Sequence, residues 1–241
     1  MNEGKPEFDH FGDSYDRLLQ DPIRDRFTAG ESQFFHARKR DLILDHFGRR
    51  RIDTRRLSYL DFGCGRGELA CLLKADFARV AGCDMSAGMM TSGGLASHGV
   101  ETRVQSDPGK IPFEEAEFDF VTAVCVFHHI PPAQRQAALR EMCRVTKPGG
   151  TVAIIEHNPY NPVTRLIVSR TPVDANAILL RSGEVRRLFR AAGLDAGAPR
   201  YFLYFPEPVY RVIGFLERLL AKIPLGGQYS VFGRSAFADS M

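Results

Sequence analysis

The sequence predicts an α/β domain built on a doubly wound, mostly parallel sheet of about seven strands, the last of them antiparallel. Three observations predict it. Short apolar runs alternate with helical stretches, a glycine-rich turn joins the first run to the first helix, and no internal repeat breaks the rhythm. At 241 residues and 44% hydrophobic content, the chain has enough apolar surface for one full core, so 1–241 reads as a single domain.

Apolar or β-branched runs of buried-strand length fall at 57–62, 79–84, 100–105, 118–126 and 151–156. Helical stretches separate them at 67–77, 87–98 and 132–146. Pro131 and Pro132 suit the start of the third helix, and Pro148, Gly149 and Gly150 suit a stop. After Asn158 come a proline-punctuated loop, a helix at 182–192 closed by Gly193, and an aromatic sixth strand at 200–205. The 206–222 segment spaces Val209, Val212, Ile213, Leu216, Leu219, Leu220 and Ile223 three or four apart, as an amphipathic helix does. It is a helical insertion at 206–224, open to three readings: a substrate lid, packing against the N-terminal helices, or a subunit interface. A short last strand at 228–233 is expected to pair with the sixth as an antiparallel edge. Residues 1–45 read as N-terminal helices capping a core at 57–157, with 158–241 as the C-terminal half.

Thirty-two basic and 29 acidic residues leave a formal charge of +3, too small to predict a strong field for nucleic acid. The cluster Arg49, Arg50, Arg51, Arg55 and Arg56 suits a solvated helix end. Five cysteines show neither zinc spacing nor a disulfide pattern, so no metal is expected. The N-terminus lacks a secretory layout and 209–223 is too charged for a span, which predicts a soluble, cytoplasmic protein, with a homodimer left open.

Gly63, Gly65 and Gly67 stand where the first strand passes into the first helix, and glycine there permits a tight turn and close backbone approach to a ligand. The spacing is G-x-G-x-G, and Asp61 sits at its mouth. A carboxylate there repels a pyrophosphate and attracts the α-ammonium of S-adenosylmethionine. Asp84, 21 residues after Gly63, matches the offset at which an acid meets ribose hydroxyls. It also suits the cap of the helix that follows.

Five motifs in order, Leu60 through Ala70, Gly82 through Ser86, Ser106-Asp107 with Ile111-Pro112-Phe113, Phe118 through Val121, and Val145 through Thr151, resemble those of class I methyltransferases. The resemblance spans about 57–157 and implies a Rossmann-like fold with S-adenosylmethionine as cofactor. It places Gly63, Cys64 and Gly65 in the cofactor loop and the Ser106-Asp107 pair beside it, with Asp107 meeting the adenine amino group. Met85 packs on the adenine and Cys125 lies beside the cofactor. Turn formation by Asp107 and core packing by Met85 and Cys125 are the alternatives.

His128 and His129 leave the fourth strand toward the crevice where such sheets bind ligands. Together with Glu156 and His157 they are the candidates for acid–base work. Asn158 and Tyr160 follow the fifth strand at another crevice position and are substrate candidates, although two prolines there suit a plain loop. Similar methyltransferases recruit substrate groups from N-terminal helices, which adds Tyr15 and Arg38. The expected reaction is methyl transfer to a small-molecule oxygen or nitrogen. A macromolecular acceptor, protein or RNA, and a non-catalytic protein that binds the cofactor are the alternatives.

Overall fold

The structure, a computed structural model, describes residues 18–19, 21–27 and 33–235. Its parallel strands are β1 (Ser58–Phe62), β2 (Arg79–Asp84), β3 (Glu101–Val104), β4 (Phe118–Val124) and β5 (Thr146–His157). The spatial order β3-β2-β1-β4-β5 puts β1 at the centre, where the chain reverses direction across the sheet. Ligands of doubly wound sheets sit at that switch point, beyond the strand carboxyl ends. Alternation along β1 feeds two cores: Leu60 and Phe62 pack on one face with Val121 and Ile154, while Tyr59 packs on the other with Val80 and Phe120.

Helix α1 (Pro22–Phe27) precedes α2 (Gln33–Gly48), whose Ile43 and Phe47 cover the second face together with Leu69 and Leu73 of α3 (Glu68–Leu73). Helix α4 (Ala87–Ser92) follows β2, and α5 (Arg135–Val145) covers the first face with Leu139 and Met142. The stretch expected at 87–98 breaks at Gly93 and Gly94 into α4 and a 3-10 turn. Gly93 has backbone of Arg66 where a Cβ would stand, so helix continuity yields there to close packing.

The helix stop expected at Pro148-Gly149-Gly150 is met, since α5 ends at Val145, and these residues then lie within β5, where the ladder to β4 shifts register between Phe118 and Phe120; a bulge accommodates the proline that a regular ladder would not. Three expectations are corrected. A further helix, α6 (Pro162–Arg170), fills the proline-punctuated loop, with Asn161 as its N-cap accepting from Thr164 N. The last strand is not the edge. After α7 (Ser182–Ala191) comes an unexpected two-residue strand, β6 (Asp195–Ala196), and beyond Gly197, Ala198 and Pro199 the strand expected at 200–205 is shortened to β7 (Arg200–Phe202). The last strand, β8 (Gln228–Arg234), runs antiparallel between β5 on one side and β6 and β7 on the other.

The insertion carries α8 (Glu207–Ile213), a 3-10 turn and α9 (Glu217–Leu220). Its orientation is the reverse of the ordinary amphipathic one. Glu217 is 5% exposed while Phe215 is 68% and Leu219 78% exposed. The reason lies on α2: Arg38 is nearly buried there, its guanidinium 2.7 Å from Glu217 and over the Tyr210 ring, and a buried cation requires a partner. That charge turns the acid inward and the leucine outward.

Candidate active site

The three loop glycines take left-handed conformations, at φ 70°, 55° and 75° for Gly63, Gly65 and Gly67. A Cβ on Gly63 would stand 2.6 Å from Val126 Cγ2, so this residue is glycine for space as well as for φ. Asp84 ties the turn to the next loop: one carboxylate oxygen accepts from Gly65 N and the other from Ser86 N, both at 2.8 Å. Capping of α4 falls to Ser86, whose Oγ accepts from Met89 N. Asp61 is 3% exposed and accepts from Thr122 Oγ1 at 3.1 Å, while Thr122 also bonds the Tyr59 hydroxyl. Burial pushes its carboxyl up to about 7, leaving it poised to ionise against an arriving cation.

A cavity of about 730 Å³ opens above this turn. Asp61, Gly63, Cys64, Gly65, Asp84, Met85, Asp107 and Cys125 border it, and of the residues expected at the cofactor Ser106 alone does not; the buried neighbour Gln105 does. Asp107 forms its turn as well, accepting from Gly109 N at 2.7 Å. Cys125 follows β4 directly at φ 56°, and burial raises its thiol, which suits a wall rather than a nucleophile.

A second cavity of about 550 Å³ adjoins the first and shares His36, Lys39, Glu68, Cys125, His129 and Val173 with it. Its remaining wall is largely apolar, from Ile23 and Phe27 of α1, Phe35 of α2, Ile167 and Val168 of α6, and Leu203. Lys39 is 6% exposed, a buried ammonium at the junction of the two spaces.

The histidines meet here around two carboxylates. Glu156, wholly buried, accepts from Phe127 N at 2.7 Å and holds His128 Nδ1 at 2.6 Å. Burial opposes charge on both, yet their mutual attraction wins and draws Glu156 below and His128 above its ordinary value. His128 Nε2 lies 3.3 Å from Asp174 Oδ1, and His129 Nε2 lies 3.5 Å from the same oxygen. His129 and His157, which both border the second cavity, are lowered to about 4 by burial and by the charge on His128.

Other expected residues stand elsewhere. Glu156 touches neither cavity and orients His128 instead. Arg38 faces Glu217 rather than a ligand space. Asn158 is buried, donating to Pro224 O and Gly226 O, so it fastens the chain before β8. Tyr160 is half-exposed and outside both linings, and Tyr15 lies outside the described residues. Lys39 and Asp174 are functional candidates that sequence reasoning missed. Lys39 had a signal: it interrupts the apolar stripe Phe35, Ile43, Phe47 at helical spacing.

A sheet of this order, with a glycine turn after its central strand and an acid closing the next, defines the class I methyltransferase fold. A family model described as a methyltransferase domain matches residues 60–154. An uncharacterized methyltransferase of Synechocystis is 37% identical over 105 residues, 42% of this chain and 48% of that protein. The demethylmenaquinone methyltransferase of Beutenbergia cavernae is 34% identical over 109 residues, 44% of either chain. This chain therefore spans about half the length of the relatives it matches. The solved magnesium protoporphyrin IX methyltransferase of Synechocystis, holding S-adenosylhomocysteine, covers 95% of this chain and 96% of its own at a TM-score of 0.65 and 15% identity, a likeness of fold. Residues 60–154 are a class I methyltransferase domain, whose cofactor is S-adenosylmethionine. Among the described residues no helix is long and apolar enough to cross a membrane.

Proposed function

We propose that the chain transfers a methyl group from S-adenosylmethionine to a small, largely apolar acceptor held in the second cavity, with O- or N-methylation as the reaction. The adjoining of the two cavities at Cys125 and His129 carries this reading, because donor and acceptor need a shared opening. The cofactor, when bound, supplies an electrophilic methyl on a sulfonium. Asp61 faces its ammonium and Asp84 its ribose. Phe27, Phe35 and Ile167 exclude water from the acceptor, and α1 and α2 act as the cap.

Lys39 stabilises an acceptor oxygen as its anion, which suits a phenol or enol. A base of pKa about 4, as at His129 and His157, provides little driving force for proton removal at neutral pH. Alignment, worth roughly 7–11 kcal/mol in well-oriented systems, is the larger contribution. The relatives named for demethylmenaquinone and magnesium protoporphyrin IX act on bulky, largely apolar molecules, and the apolar wall fits that class.

The test is calorimetric titration with S-adenosylmethionine and S-adenosylhomocysteine, with NAD as control, followed by a transfer screen over phenols, quinols and amines. Binding of the first two ligands that Asp84→Ala abolishes, with methylation of a phenol or quinol, supports the reading. Cofactor binding with turnover only on protein or RNA would overturn the small-molecule acceptor.

A further inference from the structure

We propose that His128, His129 and Asp174 form a binding site for one divalent transition-metal ion on the wall of the second cavity. The ligand atoms of these three residues lie within 4.8 Å of one another. As hydrogen bonds, the 3.3 Å and 3.5 Å separations from the two Nε2 atoms to Asp174 Oδ1 are long against the roughly 2.7–2.9 Å of charged pairs. As edges of a coordination shell they fit. Bonds of about 2.0–2.1 Å in a tetrahedron place neighbouring ligand atoms about 3.3–3.4 Å apart.

The surroundings supply what a metal-binding imidazole needs. Glu156 Oε2 sits 2.6 Å from His128 Nδ1, so that nitrogen donates to the carboxylate, and Nε2 ligates once the arriving ion displaces its proton to solvent. Such an outer carboxylate is the usual companion of a ligating histidine. Glu156 is itself held by Phe127 N, which fixes the imidazole plane. Two imidazoles and one carboxylate suit zinc, cobalt or iron better than magnesium or calcium, which prefer all-oxygen shells.

The three residues also border the acceptor cavity, so a fourth ligand to the ion would come from it. Resting on the reading of that cavity as the acceptor site, the ion would take an acceptor hydroxyl as its fourth ligand. The O–H proton then leaves to solvent and the oxygen stays on the metal as an alkoxide or phenolate. Lys39 lies on the same wall and adds positive charge. A metal-bound anion also removes the need for a strong base.

The experiment is a metal titration of the tag-free full chain after chelator treatment, with no cofactor or acceptor present, so that its outcome is independent of methyl transfer. Cobalt(II) gives visible absorption bands that report tetrahedral nitrogen and oxygen ligation, and zinc then competes for the site. One equivalent bound at micromolar or tighter affinity is expected. His129→Ala and Asp174→Asn are each expected to weaken binding at least tenfold, Glu156→Gln to weaken it about 10- to 100-fold, and His98→Ala, on a remote turn, to leave it unchanged. Thermal melts identify any variant that fails to fold; His129→Ala, at the cavity surface, is the decisive one. Absence of the cobalt bands, or one-equivalent binding that survives His129→Ala in folded protein, would overturn the proposal.

Discussion

Arg38 of α2 and Glu217 of α9 form a nearly buried ion pair at 2.7 Å, joining residues 179 positions apart. Glu217 also accepts from Tyr204 N through its other oxygen. Removing the acid leaves the guanidinium with Asp41, an exposed carboxylate at 3.1 Å, as its remaining charged partner. Glu217→Ala is therefore expected to cost less than the roughly 3–5 kcal/mol of a fully uncompensated buried charge, about 1–3 kcal/mol, read from urea unfolding. The double variant Arg38→Met, Glu217→Leu should recover most of that loss; no recovery would mean that the pair is not the fastening.

Asp61 couples cofactor binding to protons. With its carboxyl near 7 in the free protein, an ammonium ligand binds the ionised form, so affinity should fall toward tenfold per pH unit below about 7. Calorimetry in buffers of different ionisation enthalpy should show proton release on binding at pH 6.5 or so, and none for Asp61→Asn.

The same carboxyl bears on stability with the opposite preference. An unfolded aspartate titrates near 4, so between about 4 and 7 the folded protein holds a proton that the unfolded chain has released. This contribution favours the fold at low pH, falls as pH rises through that window and levels off above about 7. Asp61→Asn, neutral throughout, should melt higher than the parent at pH 8 without cofactor while binding the cofactor more weakly.

Gly63→Ala meets both a left-handed φ and Val126. A loss of about 1–3 kcal/mol in stability is expected from strain of this kind, with cofactor affinity reduced far more than the melting temperature suggests. Equilibrium dialysis with S-adenosylhomocysteine measures it.

Ile167→Arg tests the division of labour between the cavities. The side chain borders the second cavity and not the first. Acceptor turnover should drop at least tenfold, while the dissociation constant for S-adenosylhomocysteine stays within twofold of the parent.

The central sheet and the cofactor turn were legible because their signals are local. Glycines 63, 65 and 67 and the acid at 84 follow one another along a strand, a turn and a helix, so spacing alone carries them. The histidine cluster was half legible: His128 and His129 are adjacent in sequence, but Asp174 arrives from 46 residues beyond His128, after a loop whose path no periodicity specifies. The insertion misled in orientation. Its apolar spacing was real, yet one buried arginine on a distant helix decided which side faces inward. Arg38 looked like a ligand contact for the same reason, since a lone sequence does not show that its partner is already in the protein. The break between β6 and β7 at Gly197 and Pro199 was marked by residues that weaken a ladder, while the inner position of β8 was not, because Ser230 interrupts its apolar run as in a half-exposed strand although Tyr229, Ser230, Val231 and Phe232 are all buried.

That inner position of β8 also governs the order of assembly. Strands β6 and β7 leave the ribosome before the strand with which they pair, and β5 keeps one side of its backbone unpaired until residues 228–234 emerge. The Val152 to Ile155 stretch is then an apolar open edge, the kind of surface on which nascent chains aggregate. Folding of the whole sheet is therefore a late event in synthesis, and chains halted before Gln228 are the ones that will need chaperones.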